Sequence, residues 1–393
     1  MKILNVVGAR PQFIKYMPIS EAIRDLKERS GHEMEEILVH TGQHYDYSMS
    51  RIFFDQFGIR QPDYHLGVGS GTHGKQTGEI MAGCEEAFLK ELPDVVIVYG
   101  DTNSTVGAAL AASKLDIPVA HVEAGLRSFN KYMPEEINRV VTDHVSTYLF
   151  CPGTAAVGNL AKEGFLNALN GGALVGDDFF QARSEMAATD KDNPVVVNVG
   201  DVMFDALGRS LAIARRLDVL GGLDLKEKDY CLLTVHRAEN TASREEFDGL
   251  MEFVEKAAQG RQVIFPVHPR TRRLFGEYAA AKASRVIRPI EPVGHFELIA
   301  LIKGSSLVLT DSGGIQKEAF WLEAPCVTLR DRTEWVETVE SGWNVLYRQY
   351  DGRHDLSSDG RFCYGDGRAS EKIASCLAQA GGLLKGRRVG KGK

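Results

Sequence analysis

Between residues 122 and 141 the chain reads VEAGLRSFNKYMPEEINRVV, which sets Glu123, Glu135 and Glu136 among Arg127, Lys131 and Arg139. Acids interleaved with cations over so short a span are either the charge pattern of a helix start or proton-transfer groups of an active site. Pro134 at the first helical position, followed by two acids, is what the helix dipole favours by itself. Asp101 in YGDTNST has an equally plain explanation as a helix N-cap. Order tips the balance towards function. Asp101, Glu123 and Glu135 each follow one of a series of apolar runs, so the strand ends of a single sheet would gather them.

The stretch LTDSGGIQKEAF, residues 309 to 320, pairs a strand ending at Thr310 with a helix whose free N–H groups face the intervening turn. Gly313 and Gly314 let a ligand approach the backbone, Ser312 can donate, and Glu318 could accept from ribose hydroxyls. That is a phosphate cradle, and its ordinary alternative is a tight turn with an N-cap. GARPQFIK puts Arg10 just past the first strand and Lys15 about one turn further on, a bidentate cation and a point charge for an anion. HTGQH adds Gln43 and His44 on a neighbouring loop. His236 in TVHRAEN and His268 in PVHPR both follow apolar runs; lone histidines are commonly structural, and the Arg237, Glu239 and Asn240 that follow favour a functional His236.

These residues need a scaffold that delivers strand ends. Runs rich in β-branched residues alternate with helical patterns, and the 40 glycines among 393 residues punctuate many junctions between them. Strands are expected at 3–7, 36–41, 95–99, 119–122 and 148–151, and again at 195–199, 230–235, 262–267, 307–309 and 326–328. This is an α/β chain of two Rossmann-like, doubly wound domains, each carrying its motifs at the carboxyl ends of parallel strands, where two facing domains would share a crevice. The expected division is 1–197 for the first domain, with an insertion of uncertain structure at 165–194, and 198–368 for the second. Asp190-Lys191-Asp192 has the form of a metal-binding DxD but sits in polar, loop-like sequence, and neither a metal nor a cofactor is expected. The tail 386–393 is basic and expected to be disordered.

A net charge of -7 argues against a partner recognised through phosphate neutralisation, so nucleic acid is excluded and an anionic ligand needs a local basic pocket. No run of ~18 apolar residues spans a membrane and MKILNVVGAR lacks a signal-peptide core, which points to a cytoplasmic protein without membrane attachment. The six cysteines form no CxxC pair and are expected to be reduced and mostly buried.

A diphosphate cradle, opposing cations and carboxylates for the remainder of the ligand suit a sugar nucleotide. The carboxylates could activate an acceptor hydroxyl, as in a glycosyltransferase, or remove the sugar's C2 proton as UDP departs, leaving a glycal to which UDP adds back. In order and over nearly the whole chain, GARPQFIK, HTGQH, YGDTNST, HVEAGLRS, MPEEINR, VHRAENT, TDSGGIQKEAF and RDRTEWVE resemble the non-hydrolysing UDP-N-acetylglucosamine 2-epimerases. The resemblance implies a GT-B fold with the active site in a cleft between the domains, a homodimer, a C-terminal helix over 369–385 packed on the first domain, and the elimination and re-addition route. It assigns Asp101, Glu123, Glu135 and His236 as catalytic residues, and Arg10, Lys15, Gln43, Arg127, His268, Ser312, Gly313, Gly314, Glu318 and Arg330 as UDP-sugar contacts. LGVGSGTHGKQTGEIM, RSFNKYMPEEINR, NVGDVMFDA and RDRTEWVE look more like the branch acting on UDP-2,3-diacetamido-2,3-dideoxy-glucuronate in O-antigen assembly. Such a uronate calls for an extra cation, for which Lys75, Arg127 and Lys131 are candidates. A GT-B glycosyltransferase using a UDP-sugar donor is the alternative reading.

Overall fold

The computed structural model describes residues 1–31, 33–43, 60–176, 189–282, 285–356 and 363–388; His44, the centre of the 165–194 stretch, the side chain of Arg10 and the last five residues of the basic tail lie outside it. The chain forms two compact units, Met1–Ala206 with Cys363–Lys393, and Leu207–Phe362. In the first, seven parallel strands run in the order β3-β2-β1-β4-β5-β6-β7: β1 (Lys2–Val7), β2 (Glu35–His40), β3 (Tyr64–His65), β4 (Val95–Tyr99), β5 (Val119–Val122), β6 (Tyr148–Cys151) and β7 (Val195–Asn198). The second carries six parallel strands in the order β10-β9-β8-β11-β12-β13: β8 (Tyr230–Thr234), β9 (Gln262–Pro266), β10 (Ile287–Ile290), β11 (Leu307–Thr310), β12 (Cys326–Thr328) and β13 (Asn344–Leu346).

Helices cover these sheets, so central strands are apolar without alternation. All five residues of β4, VVIVY, are fully buried, and each such side chain contributes roughly 1.5–3 kcal/mol. In both units the order reverses direction beside the first strand of the sheet, between β1 and β4 and between β8 and β11, which is where doubly wound sheets open a ligand crevice at the strand carboxyl ends.

The run at 195–199, which straddles the expected domain boundary, closes the first sheet: Tyr148 to Cys151 pair in register with Val195 to Asn198. Part of the supposed insertion contributes too, since Ala168 bridges Val196 and the Val175 N–H donates to the Asn198 carbonyl. Three strands that the sequence pattern did not announce, β3, β10 and β13, are sheet edges. At the DxD-like segment, Asp190 accepts from the backbone of Asp192 and Asn193, and Lys191 bonds Asp116 and the Ser113 carbonyl. Among the described residues no group of acids, histidines or cysteines could hold a metal ion, and no helix is long and apolar enough to cross a membrane. All six cysteines are free thiols, five of them buried.

The helix Ala369–Arg388 belongs to the first unit and packs on the helix Arg10–Ser30. Its start is capped by Asp205, which accepts from the backbone N–H of Ala369 and Ser370 and from the Ser370 hydroxyl. Burial pushes the Asp205 carboxyl up to about 6, the Ser370 and Ala369 donors offsetting only part of that. An acid whose pKa is higher in the folded than in the unfolded chain stabilises the fold below its unfolded pKa, and that contribution is lost as the pH rises through the folded value. Thermal unfolding of wild type and Asp205→Asn between roughly pH 4 and pH 7 tests this. Wild type should lose up to about 3 kcal/mol relative to the variant across that window, and parallel pH profiles would contradict the assignment.

Candidate active site

The first loop of the site is stapled by a side chain that the sequence pattern did not single out. Gln12 is buried in the first turn of the helix Arg10–Ser30; its Oε1 accepts from the N–H groups of Gly8 and Ala9, and its Nε2 donates to the Tyr99 carbonyl and the hydroxyls of Thr102 and Thr105. One amide thus joins the turn after β1 to the turn after β4. Its place in the first turn of the helix, the capping-box position, was the available clue.

One helical turn on, the Lys15 ammonium meets the Glu123 carboxylate, the two side chains being 9% and 12% exposed. Glu123 takes a left-handed backbone, φ 75°, as the chain leaves β5, a conformation that costs a non-glycine residue energy and is common at active sites. Gly100, after β4, has φ 62°, and a Cβ there would stand 3.2 Å from Lys15 Nζ and 3.3 Å from Glu123 Oε2. Only glycine suits both the backbone and the space.

Asp101 follows Gly100, and its carboxylate accepts from Arg139 Nη2 at 2.6 Å while its carbonyl accepts from Asn138. Both partners lie on the helix Pro134–Val145, whose two first-turn acids separate in role. Glu136 turns inward, accepting from the backbone and hydroxyl of Ser128, the Phe129 N–H and Arg139 Nη1. Burial opposes its charge, but the Ser128, Phe129 and Arg139 donors together hold it below the usual carboxylate range. Glu135 is exposed, one turn before the Arg139 that holds Asp101. Glu136 is therefore a clamp on the 128–129 turn, and Asp101, Glu123 and Glu135 are the acids presented at the carboxyl ends of β4 and β5 and at the following helix start.

In the second unit Asp311 plays the part of Gln12. Fully buried between β11 and the helix Gly313–Trp321, it accepts from the backbone of His236 and Arg237 and from Asn240 Nδ2, and its Oδ1 is 3.0 Å from His236 Nδ1. Burial opposes its ionisation, but His236 foremost, then Arg237 and Asn240, hold it below the usual range. The His236 ring is 46% exposed and presents Nε2 away from Asp311, with the exposed His268 ring 6.4 Å away. Ser312 stands at the N-cap of the helix Gly313–Trp321 without a side-chain cap bond, and its N–H donates to the Thr310 hydroxyl. The glycines divide the work. A Cβ at Gly313 would be 2.7 Å from Glu334 Oε1, whereas one at Gly314 meets nothing within 4 Å.

Several expected contacts have other tasks. Arg127 is buried, with its guanidinium committed to Asp143, Glu163 and the Leu126 carbonyl. Its guanidinium is thus held between one buried acid, Asp143, and one exposed acid, Glu163. Gln43 Oε1 accepts from the Ser104 N–H and hydroxyl, fastening its loop to the helix Asn103–Lys114. Arg330 is buried against Glu334 at 3.1 Å, and Glu318 is buried on its helix. Lys75 is largely exposed beside Glu79, and Lys131 is exposed.

The family model described as UDP-N-acetylglucosamine 2-epimerase matches residues 24–378. The chain belongs to this family. It is 45% identical over 391 residues to a UDP-N-acetylglucosamine 2-epimerase homolog of Methanococcus maripaludis, covering 96% of this chain and 99% of that protein. To the UDP-2,3-diacetamido-2,3-dideoxy-D-glucuronate 2-epimerase of Pseudomonas aeruginosa it is 46% identical, covering 96% and 100%. The structure of the Methanocaldococcus jannaschii UDP-GlcNAc 2-epimerase in complex with UDP-GlcNAc and UDP matches with a TM-score of 0.76 at 38% identity, over 96% of this chain and 99% of that one. The fold is accordingly GT-B-like and the chain is an epimerase, hence an isomerase.

Gln12→Leu keeps the volume but strands the Gly8 and Ala9 donors and one bond to the Tyr99 carbonyl in the interior. Urea denaturation should show a loss of about 3 kcal/mol; a loss below about 0.5 kcal/mol, the range of an ordinary surface substitution, would contradict the role given to this amide.

Proposed function

We propose that the chain is a non-hydrolysing 2-epimerase that inverts C2 of a UDP-2-acetamido sugar from gluco to manno. The observation that carries the reading is that two strand-end carboxylates each have their own cation, Glu123 with Lys15 and Asp101 with Arg139, while exposed Glu135 lies one helical turn before Arg139. Carboxylates so paired are held in orientation, ready to exchange a protein partner for a substrate proton.

The C2 proton is not adjacent to a carbonyl, so it becomes acidic only as the anomeric C–O bond lengthens. A carboxylate takes that proton, the C–H pair becomes the C1–C2 double bond of a glycal, and the C1–O pair leaves with UDP. Return of a diphosphate oxygen to C1, with a proton delivered to the opposite face of C2, completes the inversion. Two faces require two proton-transfer groups, and the three acids leave a third to orient the sugar. The departing diphosphate carries the developing negative charge, and fixed donors suit it best. The N–H groups at the start of the helix Gly313–Trp321, Ser312 and His236 in the second unit are such donors, with Lys15 in the first. Both sets must serve one ligand for the reaction to proceed.

The substrate is UDP-GlcNAc or its 2,3-diacetamido uronate, and the product feeds cell-surface polysaccharide such as O-antigen. The Pseudomonas relative supports the uronate. With Arg127 committed elsewhere, exposed Lys75 or Lys131 is left to meet the sugar carboxylate. The free thiols fit a reducing cytoplasm, and a homodimer is the assembly that the family resemblance suggests.

Proton NMR in deuterated buffer, with each sugar nucleotide in turn, should show a manno-configured product carrying deuterium at C2. Asp101→Asn, Glu123→Gln and Glu135→Gln should each lower kcat by about 10²–10⁴-fold. Product without deuterium at C2, or variants that turn over at the wild-type rate, would overturn the reading.

A further inference from the structure

Beneath the three acids lies a buried polar group that the reaction as described does not use. His121, two residues before Glu123 on β5, is fully buried; its Nδ1 lies 2.6 Å from Asp143 Oδ1 and its Nε2 lies 2.8 Å from the Gly100 carbonyl oxygen. A peptide carbonyl only accepts, so Nε2 carries a proton. Asp143 Oδ2 accepts from Arg127 Nη1 at 2.7 Å and from the Gly125 N–H at 3.1 Å. Burial opposes the Asp143 charge, but His121 and then Arg127 hold its carboxyl below the usual range. Nδ1 thus faces a carboxylate that Arg127 and the Gly125 N–H also hold.

The ring therefore bridges the Gly100 carbonyl and the Asp143 carboxylate in the dry interior, while Arg127 continues to Glu163 at 2.7 and 2.6 Å. The bridge touches every segment that bears a proposed proton-transfer acid. Gly100 immediately precedes Asp101 and abuts Lys15 and Glu123. His121 and the Asp143-bound Gly125 bracket Glu123 within two residues on either side. Asp143 stands about two turns beyond Glu135 on the same helix.

We propose that His121 is a positioning residue which, by bridging the Gly100 carbonyl and the Asp143 carboxylate, fixes the geometry of Asp101, Glu123 and Glu135 relative to one another. The proposal rests on those acids being the proton-transfer groups. It also explains the residue type. A neutral amide offers one donor end and one acceptor end, and so would face either the Gly100 carbonyl or the Asp143 carboxylate with an oxygen.

His121→Gln should therefore lower kcat by about 10²-fold with KM changed less than about twofold, the effect of a slight misplacement of reacting groups. Combining His121→Gln with Asp143→Asn re-matches donor to acceptor along the bridge. The amide introduced at position 121 then donates to the Gly100 carbonyl and accepts from the amide introduced at position 143, and the pair should recover at least about tenfold of that loss. Nitrogen-15 NMR of histidine-labelled wild type should show a proton on His121 Nε2, the ring nitrogen that faces the Gly100 carbonyl. A folded His121→Gln enzyme with wild-type kcat, no rescue in the double variant, or an Nε2 without a proton would each overturn the proposal. The NMR result needs no turnover, so it stands apart from any failure of the epimerase reading, which the carboxylate variants report.

Discussion

A lysine and a glutamate held in contact with little water around them set the terms for the first unit. Removing either partner of such a pair leaves an uncompensated charge, at a cost of about 3–5 kcal/mol, so the surroundings must hold both. Lys15 is delivered by the helix after β1, and Glu123 by a left-handed turn after β5. Gly100 makes room between them, and Gln12 ties the two adjoining turns together. What the arrangement stores is orientation. The carboxylate is held aimed by its contact with Lys15, which is the form of preorganisation that proton transfer at a weakly acidic carbon needs.

The second unit solves a different electrostatic problem with the same means. Charge develops on a leaving diphosphate, and that calls for donors already in place. A buried carboxylate, Asp311, supplies none itself but fixes the backbone at 236–237 and the His236 ring. The helix start at Gly313 then offers its N–H groups beside a glycine, Gly314, that leaves the approach clear. In both units the groups proposed to touch the ligand are held by buried polar residues that do not: Gln12, Arg139 and His121 in one, Asp311 in the other. That division lets sugar and nucleotide chemistry be tuned separately on two similar sheets.

The central strands could be read from the sequence because both their faces are covered, which leaves an unbroken apolar run as the signature. Edges lack it. β3 is two residues long, β10 contains Pro289, and β13 is three residues, so the pattern announced none of them. Val195–Asn198 has the signature, but a run of valines does not name its neighbour, and pairing with β6 could be learned only from the fold. The site divides likewise. That residues from Asp101 to Ser312 would stand at strand ends was legible because they follow apolar runs directly. The partners of Arg127 were not, since a charged residue in a motif reads the same whether its partner is a ligand or an acid of the fold. Asp143 and Asp311, whose partners are distant in sequence, carry no local mark of their role.

Everything assigned to the three acids depends on the anomeric C–O bond breaking during turnover. Positional isotope exchange measures that event directly. A UDP-sugar labelled with oxygen-18 in the anomeric bridge, sampled by phosphorus NMR during turnover, should redistribute the label from the bridging to the non-bridging positions of the β-phosphate at least as fast as the manno product accumulates. Label that stays in the bridge while C2 inverts would mean that UDP never leaves, and would contradict the account.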